Sequence, residues 1–251
     1  MLDDYPTHYM QSLFKTMMRA EGIAQGHMFD MQDIRDPFFC HCYIDSCDTR
    51  GANAVFASKD IAKGELFCLT PLTLVSDEVD IVKLSTEQGR LLDVTRDHLC
   101  LYSDHFQSFS YIDMFTNHSC YPSNNSKTID YLVFPEIGCI GEGFVATQDI
   151  EKNREITIDY GTFEYEHIEF SCGCDAVDCV KHYRGFRHYS EARQDALMAD
   201  GQVDPSVMAE LYEEADDSRR SGIEKRFLPL LSEEETFLFY FTLCALAEED
   251  E

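Results

Sequence analysis

Asn117-His118-Ser119-Cys120-Tyr121-Pro122 sets an amide, an imidazole, a hydroxyl and a thiol side by side. Standing alone, an Asn-His pair reads as a turn carrying a surface histidine, and a single cysteine reads as core. The next informative stretch is Cys172-Gly173-Cys174-Asp175-Ala176-Val177-Asp178-Cys179, with the spacing C-x-C-x4-C. Three thiolates this close in sequence can close on one tetrahedral zinc ion if a fourth ligand comes from elsewhere. Gly173 allows the tight backbone path. Spacing alone leaves the fourth ligand open, and leaves three unrelated buried thiols as the alternative. Cys40-His41-Cys42-Tyr43-Ile44-Asp45-Ser46-Cys47 repeats the spacing. It lies in an expected strand, where Cys40 and Cys42 share a face, so small core side chains are preferred there to a second metal site. Cys68, Cys100, Cys139 and Cys244 are scattered and read as core.

Outward from these stretches the chain reads as short strands between turns. Phe39 to Ile44, Ala54 to Ala57, Leu66 to Leu69, Phe144 to Ala146 and Ile156 to Ile158 are β-branched or aromatic runs bounded by turn residues. Ala54-Val55-Phe56-Ala57-Ser58-Lys59-Asp60-Ile61-Ala62-Lys63-Gly64-Glu65 is echoed by Gly143-Phe144-Val145-Ala146-Thr147-Gln148-Asp149-Ile150-Glu151-Lys152-Asn153-Arg154. Two copies are too few for a solenoid and suggest two strand–turn–strand units in one β-rich domain. Residues 8–32 have helical spacing, and Val79, Val82 and Leu91 suggest a helical insert at about 76–105. After residue 188 the text becomes an acidic helix, Glu191 to Ser218, and an apolar helix, Leu228 to Ala247. The expected division is a helical segment over 1–37, a β-rich domain over 38–167, a cysteine segment over 168–188 and an acidic helical extension over 189–251.

The 251 residues suffice for a sizeable core without disulfides. Lys and Arg number 20 against 47 Asp and Glu, a formal charge of −27. That argues against nucleic acid or an anionic membrane as the main partner, since both need a basic footprint, and it suits a basic partner. A hydrophobic fraction of 44% excludes general disorder. The chain opens on acidic Met1-Leu2-Asp3-Asp4 with no apolar run behind it, so no secretory signal is expected. The most apolar stretch, Phe237 to Ala247, is well short of the ~20 residues a membrane span needs. An intracellular setting, nucleus or cytoplasm, follows, and there 11 cysteines point to metal before disulfide.

Taken in order, the motifs resemble those of SET-domain protein lysine methyltransferases. Asn117-His118-Ser119-Cys120-Tyr121-Pro122 is similar to the family's N-H-S-C-x-P, and Glu155-Ile156-Thr157-Ile158-Asp159-Tyr160-Gly161 to its E-L-x-x-D-Y-G. Phe170-Ser171-Cys172-Gly173-Cys174 with Cys179 resembles its post-SET zinc motif, and Arg184-Gly185-Phe186 a segment found after it. Gly51 to Phe56 and Asp60-Ile61-Ala62-Lys63-Gly64-Glu65 resemble its opening elements. There the stretch reads Gly51-Ala52-Asn53-Ala54, without the second glycine of G-x-G. The resemblance implies a mainly β, SET-like fold of small twisted sheets with a pseudoknot, with added helices and a helical C-terminal extension. It implies S-adenosylmethionine as cofactor, held by Ala52, Asn53, Ala54, Asn117 and His118 with Phe170 on the adenine, and Tyr160 as the catalytic residue. Tyr111, Phe163 and Tyr165 would line a lysine channel. Cys120 would complete a structural zinc site with Cys172, Cys174 and Cys179. The substrate implied is a basic, lysine-containing protein or peptide such as a histone tail. The rivals are an inactive SET-like module that binds a peptide or scaffold, and a methyltransferase acting on a non-histone protein or a small amine.

Overall fold

The computed structural model describes residues 29–30, 38–47, 52–71, 73–76, 81–85, 91–95, 100–103, 106–109, 115–134, 139–166 and 168–249. The chain divides into two units, Met1–Asn117 with Thr128–Thr157, and His118–Lys127 with Ile158–Glu251.

The first unit is built from strands. Cys42–Cys47 and Ala52–Ala57 form an antiparallel pair in continuous register from Cys42↔Ala57 to Cys47↔Ala52, burying Ile44, Ala54, Val55 and Ala57. A four-stranded sheet runs in the order Ser126–Phe134, Cys139–Ala146, Leu66–Pro71, Phe39–Cys40. Phe67, Cys68 and Phe144 from its central strands are sealed from solvent, as expected for bulky side chains on a covered pleated face.

The internal echo is realised as a reciprocal pairing of its two copies. Ile61 and Ile150 exchange both backbone bonds at 2.9 Å. The Asp60 carboxylate accepts the Lys152 N–H at 2.8 Å, and the Asp149 carboxylate accepts the Lys63 N–H at 2.8 Å. Gly64 N–H donates to Ala146 O and the equivalent Asn153 N–H to Ala57 O, each at 2.8 Å. Gly64 and Asn153 occupy matching positions with φ of 81° and 65°. That is the left-handed conformation which glycine adopts freely and asparagine tolerates. Each copy's aspartate thus caps the other copy's turn.

The expected helical insert at 76–105 is corrected by the structure. Thr73–Ser76, Ile81–Ser85, Leu91–Thr95 and Cys100–Ser103 are strands, with Val82 opposite Val94 and Leu84 opposite Leu92. Val82 and Leu91 fit a helical spacing as well as a strand spacing, and the register with a partner strand decides the outcome. Of the helix expected over 8–32, only Phe29–Asp30 is described, and it is a strand parallel to Leu84–Ser85. The rest of residues 1–37, apart from 29–30, lies outside the described residues.

The second unit carries four helices, α1 (Glu191–Ala199), α2 (Pro205–Glu214), α3 (Asp217–Arg226) and α4 (Glu233–Glu249). The single acidic helix expected over 191–218 is therefore broken into three pieces. Gly201 turns the chain with φ 59°, and Asp204 then caps a new start with Pro205 in the first turn, where a missing N–H costs nothing. Asp216 caps α3 by accepting the Arg219 N–H at 2.8 Å. The expected apolar helix starts at Glu233, not at Leu228, because Ser232 and Glu235 form a reciprocal capping box at 3.2 and 2.7 Å. Leu197, Met198, Val207, Met208, Ile223 and Phe239 bury their side chains with Tyr183 and Phe186. Among the described residues, no helix is long and apolar enough to cross a membrane.

Gly185 joins the cysteine segment to this core at φ 90°, and a Cβ there would lie 2.1 Å from the Tyr165 carbonyl oxygen. Gly185→Ala is expected to cost about 1–3 kcal/mol of overpacking plus about 1–2 kcal/mol for the left-handed backbone. The denaturant midpoint should fall without a change in m-value. An unaltered midpoint would show that the Tyr165 backbone yields freely.

Candidate active site and metal centre

In the first unit, Asn117 donates its amide to Glu155 Oε1 at 2.9 Å and to the Asn53 carbonyl at 3.5 Å. The predicted residues Asn53 and Asn117 are therefore together, with Glu155 as a partner that the motif reading did not single out. Ala52 and Asn53 sit in a regular ladder opposite Cys47 and Ser46. Ala52 is exposed, Asn53 partly buried, and Ala54 fully buried. What Ala52–Ala54 offers outward is backbone and the Asn53 side chain.

In the second unit, Tyr160 opens the 3-10 turn Tyr160–Thr162. Its N–H donates to His118 Nδ1 at 3.1 Å, and its ring lies 5.3 Å from the His118 ring, edge-on. Phe163 and Phe170 stand 5.4 and 5.9 Å from the Tyr160 ring. Tyr183 stacks on Phe170 at 4.9 Å. The buried Tyr183 hydroxyl has no hydrogen-bond partner among the described residues, and burial, with the Asp159 charge behind it, pushes this phenol well above its usual range. Of the predicted residues, His118, Tyr160, Phe163 and Phe170 form one aromatic cluster. Tyr165 does not join it. Its ring is 4% exposed within the helical core, and its hydroxyl donates to Glu214 on α2 at 2.8 Å. Tyr111 lies outside the described residues.

The segment before Tyr160 is locked from beneath. Asp159 has no exposure. One carboxylate oxygen accepts from Gly161 N–H at 3.1 Å and Tyr189 OH at 2.5 Å. The other accepts from Tyr121 N–H at 2.7 Å and Arg193 Nη2 at 2.9 Å. Arg193, on α1, also donates to the Asp178 carbonyl at 2.9 Å and lies over the Tyr189 ring at 4.4 Å. Burial works against the charged guanidinium, but the Asp159 charge and hydrogen bond, with smaller contributions from Tyr189 and Cys120, together outweigh it and raise Arg193 above its usual range. Sequence reasoning missed Tyr189 and Arg193, which belong to no motif.

Beside this cluster His118, Cys120, Cys172 and Cys174 bring one ligand atom each within 4.8 Å of all the others. Cys120 and Cys172 sulfurs are 3.8 Å apart and Cys172 and Cys174 sulfurs 3.3 Å. A tetrahedral zinc with Zn–S bonds near 2.3 Å has S···S edges of about 3.8 Å, so the thiols fit that ion. Cys179 is adjacent, its thiol 3.8 Å from the Cys172 carbonyl, its sulfur accepting the Lys181 N–H at 3.4 Å. His118 Nε2 lies 3.2 Å from Cys120 Sγ. Because Nδ1 already accepts the Tyr160 N–H, the neutral ring carries its proton on Nε2 and donates it to the Cys120 sulfur. That is the reverse of a ligating imidazole, which gives its other N–H away. Burial raises Cys120, and raises Cys172 to about 11. Against the same upward push of burial, hydrogen bonds from the Cys120 and Ala176 backbone and from neighbouring thiols pull Cys174 down to about 7.

Residues 53–161 match the family model of the SET domain. Over this stretch the chain is similar to SET domains. The stretch contains Asn53, Ala54, Asn117, His118, Cys120 and Tyr160, while Phe170 and the other three cysteines follow it. SET domains are a methyltransferase family, and the small antiparallel sheets and the added C-terminal helices agree with the expected fold class. No curated protein sequence matches the chain. A candidate histone methyltransferase of Plasmodium falciparum is similar at 19% identity and a TM-score of 0.34, over 49% of this chain and 94% of that one. The methyltransferase domain of human histone-lysine N-methyltransferase SETMAR is similar at 16% identity and a TM-score of 0.38, over 61% of each chain. The family match, and not these likenesses, carries the assignment.

Proposed function

We propose that the protein transfers a methyl group from S-adenosylmethionine to a lysine amine in a basic protein segment such as a histone tail. The observation that carries this reading is Tyr160, at the family's D-Y-G position, with its backbone N–H held by the His118 ring and its own ring set among Phe163 and Phe170. The cofactor supplies a methyl group on a sulfonium. The Asn53 carbonyl, kept in place by Asn117, and the His118–Phe170 pair are the groups that would bind it. The unpartnered Tyr183 hydroxyl inside the aromatic cluster suits a polar ligand. Free lysine has a pKa near 10.4, so about one amine in a thousand is neutral near pH 7.5. An apolar aromatic surround lowers that pKa by disfavouring the ammonium. The Tyr160 hydroxyl would orient the amine lone pair in line with the methyl group, and alignment at near-attack distance supplies much of the rate. The charge of −27 would draw in a basic substrate.

Cys120, Cys172, Cys174 and Cys179 would hold a structural zinc ion, with His118 donating to the Cys120 thiolate. Cys174→Ser is expected to remove about one zinc ion per chain; retention of that ion would overturn this ligand set. The activity is tested by labelled-methyl transfer onto histones and whole-cell lysate, with mass spectrometry of the product. The regular ladder at Ala52–Asn53, where the family has a glycine, favours a second reading as an inactive peptide-binding module. The absence of S-adenosylmethionine binding to zinc-loaded protein by calorimetry would select it.

A further inference from the structure

The spacing Cys40-x-Cys42-x4-Cys47 suggests one trio of thiols, but the fold assembles another. In the hairpin Cys42–Cys47 with Ala52–Ala57, Cys42 and Cys47 are five residues apart and so face opposite sides. Phe39–Cys40 pairs with Leu66–Pro71 so that Cys40 stands opposite Cys68. The His41 N–H donates to the Phe67 carbonyl at 2.9 Å. That makes His41 and Phe67 the hydrogen-bonded pair, and Cys40 and Cys68 the neighbouring non-hydrogen-bonded pair, whose side chains approach most closely. Cys42, two residues along, joins them on the same side. The Cys40 and Cys42 sulfurs are 3.5 Å apart, and all three sulfurs lie within 4.8 Å of one another.

We propose that Cys40, Cys42 and Cys68 form a second metal site, a three-thiolate cradle for a soft divalent cation of the zinc class. The Cys40–Cys42 separation of 3.5 Å falls between the 3.3 and 3.8 Å separations in the Cys120–Cys172–Cys174 cluster. It is close to the edge of about 3.8 Å set by Zn–S bonds near 2.3 Å, and the other two separations lie within 4.8 Å. All three thiols are free of disulfides. Cys42 and Cys68 are sealed at 1% and 0% exposure, while Cys40 is partly open. Protein ligands therefore occupy three positions, and the fourth faces the Cys40 side, where water or a small anion from solvent completes the shell. His41 is not the fourth ligand, since alternation puts it on the other face, its ring 5.4 Å from Phe39. On binding, three S–H bonds break, three sulfur–metal bonds form, and the protons pass to solvent. This site depends neither on the SET family nor on methyl transfer.

The test is native mass spectrometry of the full chain after reconstitution with Zn2+. The unaltered protein is expected to carry two ions, Cys68→Ala one, Cys174→Ser one, and the double variant none. Cys40→Ser, at the partly open position, serves if Cys68→Ala fails to fold. Cobalt(II) substitution of the unaltered protein should show thiolate-to-metal absorption saturating at two equivalents. An ion count unchanged in both Cys68→Ala and Cys40→Ser, or a single ion on the unaltered chain that Cys174→Ser removes, overturns the proposal and leaves the trio as core thiols.

Discussion

Tyr160→Phe is expected to leave S-adenosylmethionine affinity unchanged while methyl transfer falls by roughly 10²–10³-fold, the usual cost of losing one preorganised transition-state hydrogen bond. The substitution keeps the ring, and with it the contacts to His118, Phe163 and Phe170 at 5.3, 5.4 and 5.9 Å. It also keeps the backbone N–H that donates to His118 Nδ1. Only the hydroxyl that would orient the amine disappears. Calorimetry for the cofactor and single-turnover transfer from labelled cofactor separate the two effects. A loss that appeared equally in binding would make Tyr160 a packing residue.

Arg193→Met is expected to destabilise the second unit by about 3–5 kcal/mol, the range for removing one partner of a buried ion pair. The guanidinium is 12% exposed and the carboxylate of Asp159 not at all, so solvent cannot replace the lost partner. Methionine fills similar volume, so the effect reports the charge and its hydrogen bonds more than a cavity. Arg193→Lys should recover part of the loss, because lysine restores the charge but not the fork that reaches both Asp159 and the Asp178 carbonyl. Urea unfolding followed by tyrosine fluorescence measures this. A loss below about 1 kcal/mol would place the pair among those worth no more than an exposed bridge.

Much of the site was legible because its residues fall in short motifs. Cys172 and Cys174 could be named from spacing, and Asn117, His118, Cys120 and Tyr160 from the resemblance that their motifs carry. What spacing could not carry is what long-range folding adds. Arg193 reaches Asp159 from a helix that no motif covers. Cys68 meets Cys40 only because two strands pair in one register. The cluster at Cys120 includes the His118 ring because its tautomer is set by a backbone N–H 42 residues on. The division of residues 191–226 into three helices was written in Gly201, Asp204-Pro205 and Asp216, all ordinary stop and start signals. Residues 76–105 were harder, since apolar residues that fit a helical spacing also fit short strands, and only the partner strand decides.

The reciprocal capping at Asp60 and Asp149 also bears on how the first unit comes to fold. Its two carboxylate-to-backbone bonds span 92 and 86 residues of chain. Each turn is closed by its own backbone bond, Glu65 N–H to Ala62 O and Arg154 N–H to Glu151 O at 3.0 Å, but its aspartate cap comes from the other copy, so neither copy is complete until the other is present and close. Long-range pairings of this kind must meet their loop-closure entropy before any contact offsets it, and folding slows accordingly. During synthesis, the strands up to Pro71 would emerge with their turn unfinished and wait for the stretch around Lys152. In that interval the edges of those strands are open to pairing with other chains.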